Sequence, residues 1–173
     1  MNTKFTALLA GLAVVLSLAS VNTASALQGP AGGRAFCASN PSECGGGGRS
    51  IVTVTPDLMT MLRSVNSRVN SSMRYVNDAR GTDRWNIGGA TGDCEDFVLT
   101  KRRQLIQQGV SASALRLGVT YTRRGSAHAV LIVKTTGGDY VLDNFSNGVK
   151  PVASSGYRIL AMSGTSLVRW NRT

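Results

Sequence analysis

Acidic side chains are scarce in this chain: nine Asp and Glu stand against nineteen Lys and Arg, a formal net charge of +10 over 173 residues. A balance that basic points to nucleic acid, anionic lipid or an acidic protein partner. The pattern argues against nucleic acid. The cations come singly or in pairs (Arg102-Arg103, Arg123-Arg124), and aromatics do not alternate with them as base-stacking surfaces require. A solvated basic surface is the plainer expectation. Long apolar runs are missing beyond residue 26, where nothing approaches the ~20 apolar residues of a membrane span, so no stable membrane insertion is expected. Histidine occurs once, at His128, and cysteine three times.

The one long apolar stretch is N-terminal. Lys4 supplies a positive start, Phe5 to Val21 is mostly small and apolar, and Ala24-Ser25-Ala26 has the form of a cleavage site, so residues 1–26 read as a secretory signal. No cysteine follows the cut, which speaks against a lipid anchor. Removing the segment takes Lys4 with it, lowers the charge from +10 to +9, and leaves residues 27–173 as one domain of ordinary size. The expected location is periplasmic or secreted.

An oxidising compartment makes disulfides from pairs of cysteines and leaves an odd thiol to be explained. Cys37 and Cys44 are the natural pair, flanking the turn signal Asn40-Pro41, and closing so short a loop stabilises by roughly 2.5 kcal/mol in the chain-entropy picture. Residues 27–50, rich in Gly, Ser, Pro and Asn, then read as an irregular, disulfide-pinned segment. Within it Gly45 to Gly48 before Arg49-Ser50 mimics a phosphate loop only superficially, because Glu43 stands where the first glycine would fall and arginine replaces lysine. Cys94 is left over, either as a buried inert thiol or as a nucleophile.

Thr55-Pro56 is a helix start, and Leu58, Leu62, Val65, Val69, Met73 and Val76 mark one apolar face running to about Asn77. Residues 80–92 read as a loop, and a second helix opens at Asp93 or Cys94 and closes at Gly109. From Leu115 the period changes. LRLGVTYT, AHAVLIVK, DYVLDN, YRILAMSG and SLVRW are short, β-branched or aromatic, and separated by turn residues, as antiparallel strands are. Helices followed by a run of strands predict an α+β domain.

A thiol is a nucleophile only as thiolate, and a place in the first helical turn favours the thiolate. The single histidine stands at the head of the strand AHAVLIVK, and Asp143 ends the next one. Nucleophile, base and base-orienting acid are the three roles of a triad. In a hairpin turning at Thr135-Thr136, His128 and Asp143 are directly opposed. With the turn at Gly137-Gly138, Asp143 opposes Ile132 instead, about 13 Å along the strand from His128, unless a bulge at Gly137 restores the register.

Taken in order and spacing, GDCEDF with KRRQL behind it, GSAHAVLIV and DYVLDN resemble the bacterial transglutaminase-like cysteine peptidases. FCASNPSEC, the VNSRVN stretch of the first helix and DRW before the cysteine strengthen the resemblance. It implies a papain-like, transglutaminase-like fold with N-terminal helices packed on an antiparallel sheet. It also implies an exported cysteine peptidase with Cys94 as nucleophile, His128 as general base and Asp143 orienting the base. The tetrahedral intermediate would be stabilised by backbone N–H groups near Cys94 or by the Trp85 indole. Transglutaminase-type acyl transfer needs the same triad, and a non-catalytic binding module on this fold is the reading from another class. Some members are periplasmic adhesin proteases, which implies a surface adhesin as substrate and an inner-membrane receptor as regulator.

Asp93, Glu95 and Asp96 crowd the thiol, although like charges beside it should raise its pKa. Three explanations stand open. The acids complement the helix start, with Asp93 as N-cap; they hold calcium, which prefers oxygen ligands; or they recognise substrate. The resemblance points to calcium at Asp93 and Glu95, while the acyl-transfer chemistry itself requires no cofactor.

Overall fold

The computed structural model describes residues 27–173; the expected signal segment lies outside the described residues. In chain order, β1 (Leu27–Gln28), α1 (Ala31–Ser39) and α2 (Pro41–Cys44) precede α3 (Pro56–Ser72). Two short strands, β2 (Arg74–Tyr75) and β3 (Thr91–Gly92), bracket a long loop, and α4 (Cys94–Gln107) follows. The rest is sheet: β4 (Leu115–Tyr121), β5 (Ala127–Val133), β6 (Tyr140–Asp143), β7 (Ser146–Pro151), β8 (Ala161–Ser163) and β9 (Arg169–Arg172).

Helix α3 starts where the sequence says it should. The Thr55 hydroxyl accepts from the Leu58 amide at 3.1 Å, and Pro56 takes the first helical position. It stops at Ser72, short of the expected Asn77. Met73 turns extended (φ −119°, ψ 138°), and the amides of Arg74 and Val76 donate to Ala90 and Gly92, building a parallel β2–β3 pair that the helix would forbid. The apolar period through Val76 is therefore misleading, and Val76 is exposed. Helix α4 keeps its expected bounds, with Gly109 beyond it at φ +89°, a conformation that favours glycine.

Seven strands form one sheet in the order β1-β9-β8-β4-β5-β6-β7, every neighbour antiparallel. Alternation along β5 separates two cores. Ala129, Leu131 and Val133 face the helices and join Leu62, Val65, Val69, Phe97, Leu99 and Leu105, while Val130 and Ile132 face the other way, under Tyr157 and Ile159. Among the described residues, no helix is long and apolar enough to cross a membrane.

Residues 27–50 are less irregular than expected, because α1 and α2 form a hook around the Cys37–Cys44 disulfide, whose Cα atoms lie 5.5 Å apart. Packing explains the helical order. Gly32 and Gly33 let α1 approach Asp83 and Trp85 so closely that a Cβ at either position would clash. Arg102 of α4 donates to the carbonyls of Glu43 at 2.5 Å and Gly45 at 2.9 Å, and Arg103 pairs with the Glu43 carboxylate at 2.7 Å. The expected solvated basic surface thus loses two members: Lys101 and Arg102 are fully buried.

Candidate active site

Cys94 opens α4 with its thiol free and only 6 % of its surface exposed. Its Sγ–H donates to Glu95 Oε2 at 3.0 Å. Burial, and after it the charge and hydrogen bond of Glu95, push the thiol pKa well up; the Ala129 backbone N–H pulls the other way without offsetting them. Ala129 directly follows His128, so the sulfur lies against the strand that carries the imidazole.

His128, 3 % exposed, bonds through Nε2 to Asp143 Oδ1 at 2.8 Å. The register that allows this is neither of the two expected. Ile132 pairs with Val141 and Leu131 with Leu142, so the turn is centred between Thr136 and Gly137 and, one step on, Asp143 falls opposite Val130. His128 and Asp143 are therefore diagonal neighbours on one face, within side-chain reach. The loop takes this setting because Thr135 bridges to Val52, Thr136 donates to the Val52 carbonyl, and Lys134 pairs with Asp139 at 2.5 Å.

Asp143 is satisfied on every side. Tyr157 Oη donates to Oδ2 at 2.6 Å and the Phe145 amide to Oδ1 at 3.1 Å. Burial alone would raise its pKa, but the bonds from His128, Tyr157 and Phe145 hold it below the ordinary carboxylate value. An ionised Asp143 accepts the Nε2 proton and leaves Nδ1 as the ring nitrogen with a free lone pair. Phe145 stacks on the imidazole with centroids 4.7 Å apart and planes 17° from parallel, and Tyr75 tilts onto Phe145 at 5.6 Å. A cleft of about 620 Å³ opens beside this group, with His128, Asp143, Phe145 and Tyr157 in its wall.

Sequence reasoning missed the residues that hold the turn carrying Asp143. Asn70 Nδ2 donates to the Asp143 carbonyl at 2.9 Å, and Asn66 Nδ2 to that of Ser146 at 2.8 Å, so α3 grips both sides of the two-residue β6–β7 connection. The signal was present in VNSRVN: Asn66 and Asn70 stand four apart, each directly after an apolar position of the stripe, Val65 and Val69. Tyr157 and Phe145 carried no comparable signal, since their roles depend on cross-strand and loop placement.

The acids around the thiol are strained electrostatically. Asp93 occupies the N-cap position but makes no side-chain cap bond, and its Oδ1 is buried with no partner. Burial, then Glu95 and Asp96, raise its pKa from 3.8 to about 7; burial likewise raises Asp96 to about 6, although Asp96 Oδ1 accepts the Asn86 amide at 2.6 Å. The Asp93 side chain thus caps nothing, while the Asp96 carboxylate at the third helical position accepts the Asp93 backbone N–H, one half of a capping box. Among the described residues, no three of His, Cys, Asp and Glu form a metal-binding group, so a cation held by Asp93 and Glu95 would take its remaining ligands from backbone oxygens. Trp85 is a correction: its ring is buried against Gly33 and its one N–H donates to Asp83 Oδ1 at 2.8 Å, so it has no proton to offer an oxyanion.

No curated protein matches the chain. Two solved structures of LapG from Legionella pneumophila share its fold: the calcium-bound form with a TM-score of 0.56 and the EGTA-treated form with 0.55, each 24 % identical over 64 % of this chain. The match covers 66 % and 64 % of those chains, less than two thirds of their own length. The sequence profile of the bacterial transglutaminase-like cysteine proteinases matches residues 23–172. With nearly its whole described length inside that profile and a mixed helix and antiparallel-sheet fold to accompany it, the chain belongs to the bacterial transglutaminase-like cysteine proteinase family.

Proposed function

We propose that the protein is an exported thiol peptidase that cleaves a protein substrate through an acyl-enzyme, with Cys94 as nucleophile, His128 as general base and Asp143 orienting the imidazole. The observation that carries this reading is the buried 2.8 Å bond between His128 Nε2 and Asp143 Oδ1, made by the chain's single histidine next to the residue whose amide faces its single free thiol. His128 Nδ1 takes the Cys94 proton, the thiolate attacks the peptide carbonyl, and the imidazolium returns that proton to the leaving amine. Water, activated by the same nitrogen, then releases the acyl group. The Cys94 backbone N–H lies in the first helical turn, has no i−4 carbonyl to bond, and serves as a donor for the oxyanion. Phe145 screens the His128–Asp143 bond from water.

Calcium at Asp93 and Glu95 is part of the proposal. An all-oxygen donor set, an unpartnered buried Asp93 Oδ1 and a pKa pushed to about 7 all suit a hard cation. When bound, the ion supplies positive charge that offsets the carboxylates beside the thiol. Glu95 otherwise competes with His128 for the Cys94 proton, since its Oε2 holds the S–H. A surface adhesin as substrate and an inner-membrane receptor as regulator complete the proposal.

Two measurements test it. Iodoacetamide should alkylate Cys94 near neutral pH much faster than in a His128→Ala variant, and equal rates would refute the base assignment. Comparison of exported proteins from cells with intact protein and with Cys94→Ala should show new N-termini that depend on the thiol. Gln-Lys crosslinks in their place would move the assignment to acyl transfer onto amines.

A further inference from the structure

The cleft that His128 and Asp143 help to line is one-sided in charge. Its volume of about 620 Å³ lies in the range of pockets that enclose a small ligand or a few side chains. Asp143 is the only carboxylate in its wall, and that carboxylate already accepts from His128, Tyr157 and the Phe145 amide. The same wall holds Arg123 and Arg124, from the turn between β4 and β5, and Lys150 on β7. Register accounts for the gathering. Lys150 pairs with Val141, two residues before Asp143, so both side chains share the face of the sheet on which His128 lies. Among the described residues, none of the three cations has an ion-pair partner. Three unpartnered cations around a cleft with no available anion call for a negative group from outside the chain.

We infer that this cleft binds an acidic side chain of the substrate polypeptide, Asp or Glu, within a few residues of the scissile bond, with Arg123, Arg124 and Lys150 holding its carboxylate. The inference rests on the peptidase reading for the occupant and on the cleft alone for the charge. A polynucleotide would need a groove that follows its backbone past the protein, whereas the cations here share one cleft wall with the His128–Asp143 pair of the proposed peptidase site. Each exposed cation contributes modestly by itself, so selectivity depends on all three acting on one carboxylate. Part of the chain's excess of positive charge thereby gains a use.

The test offers the purified protein, with calcium present, a library of peptides from a digested proteome. Cleaved peptides should be enriched in Asp or Glu at one fixed position relative to the cut. In the R123E/K150E variant, the ratio of kcat/KM for a Glu-bearing peptide to that for its Lys-bearing counterpart should fall by at least about tenfold. No enrichment, or an unmoved ratio, overturns the inference. Should nothing be cleaved, the peptidase reading fails on its own and binding decides the cleft. Cys94→Ala protein is then titrated with the same two fluorescent peptides and with a single-stranded oligonucleotide. Salt-sensitive preference for the Glu peptide, lost in R123E/K150E, supports the inference. Equal binding of both peptides, or preference for the oligonucleotide, overturns it.

Discussion

Glu95 shows how one side chain sets the state of another. Its carboxylate both accepts the Cys94 S–H and repels the thiolate, and these effects come next after burial in pushing the thiol up. Glu95→Gln should lower the thiol pKa and, in metal-free protein, speed alkylation near neutral pH by about tenfold for each pKa unit recovered; an unchanged or slower rate would exclude this role. Lys101 and Arg102 make a second contrast. Both are buried, but Arg102 satisfies two carbonyls of the N-terminal hook, whereas Lys101 Nζ has no hydrogen-bond partner among the described residues and burial pulls its pKa down to about 7. Arg102→Met should cost about 2 to 3 kcal/mol by orphaning those carbonyls, while Lys101→Met should be neutral or stabilising. Urea titration at neutral pH separates the two outcomes. Neither burial was legible in KRRQL, because a run of cations reads as a wet surface until the partner carbonyls, about sixty residues upstream, are brought against it.

At the scale of elements, the turn that carries Asp143 is an appendage of α3. Removing both clamping amides in Asn66→Ala/Asn70→Ala should cost about 2 kcal/mol, about one for each side chain's grip on a carbonyl. It should also bring the His128-dependent rate of thiol alkylation toward that of His128→Ala. A stability loss with the alkylation rate intact would make the clamp structural only. Elements with strong local chemistry were the legible ones: the Thr55-Pro56 start, the Gly109 stop and β4 to β6. Strand β7 was not, since SNGVKP combines Gly, Pro and one β-branched residue, a composition that suits only a sheet edge. The stretch Tyr157–Leu160 erred in the other direction. It has strand composition but crosses the back of the sheet as coil, where Tyr157 meets Asp143 and Ile159 covers the smaller core. Register was the remaining gap, because Val52 on a distant segment helps to set it alongside the hairpin's own Lys134–Asp139 pair.

For the whole molecule, the buried acids make stability depend on pH. Folded Asp93 and Asp96 keep their protons up to about 7 and about 6, while the unfolded chain releases them near 3.8. The folded state binds more protons across that window, so stability falls as pH rises through it. Asp143 acts in the opposite sense: its lowered pKa adds stability above 3.8 that is lost only as pH falls through the folded value. Melting temperatures in EGTA should therefore decline between about pH 4.5 and pH 6.5, below the range in which buried Lys101 releases its proton and acts in the opposite sense, and calcium should remove the decline. A flat or rising curve in EGTA would contradict the strained acid cluster.

The pairing of β1 with β9 couples the two ends of the described chain: Leu27 stands against Trp170, and the Trp170 ring covers Gly29 so closely that a Cβ there would clash. This contact spans almost the greatest sequence separation available, so its loop-closure entropy is among the last to be recovered in folding. A chain emerging N-terminus first has no partner for Leu27–Gln28 until Arg169–Arg172 has arrived. The sheet is therefore completed only when Arg169–Arg172 has emerged, and the segment next to the expected cleavage site stays accessible until that strand docks.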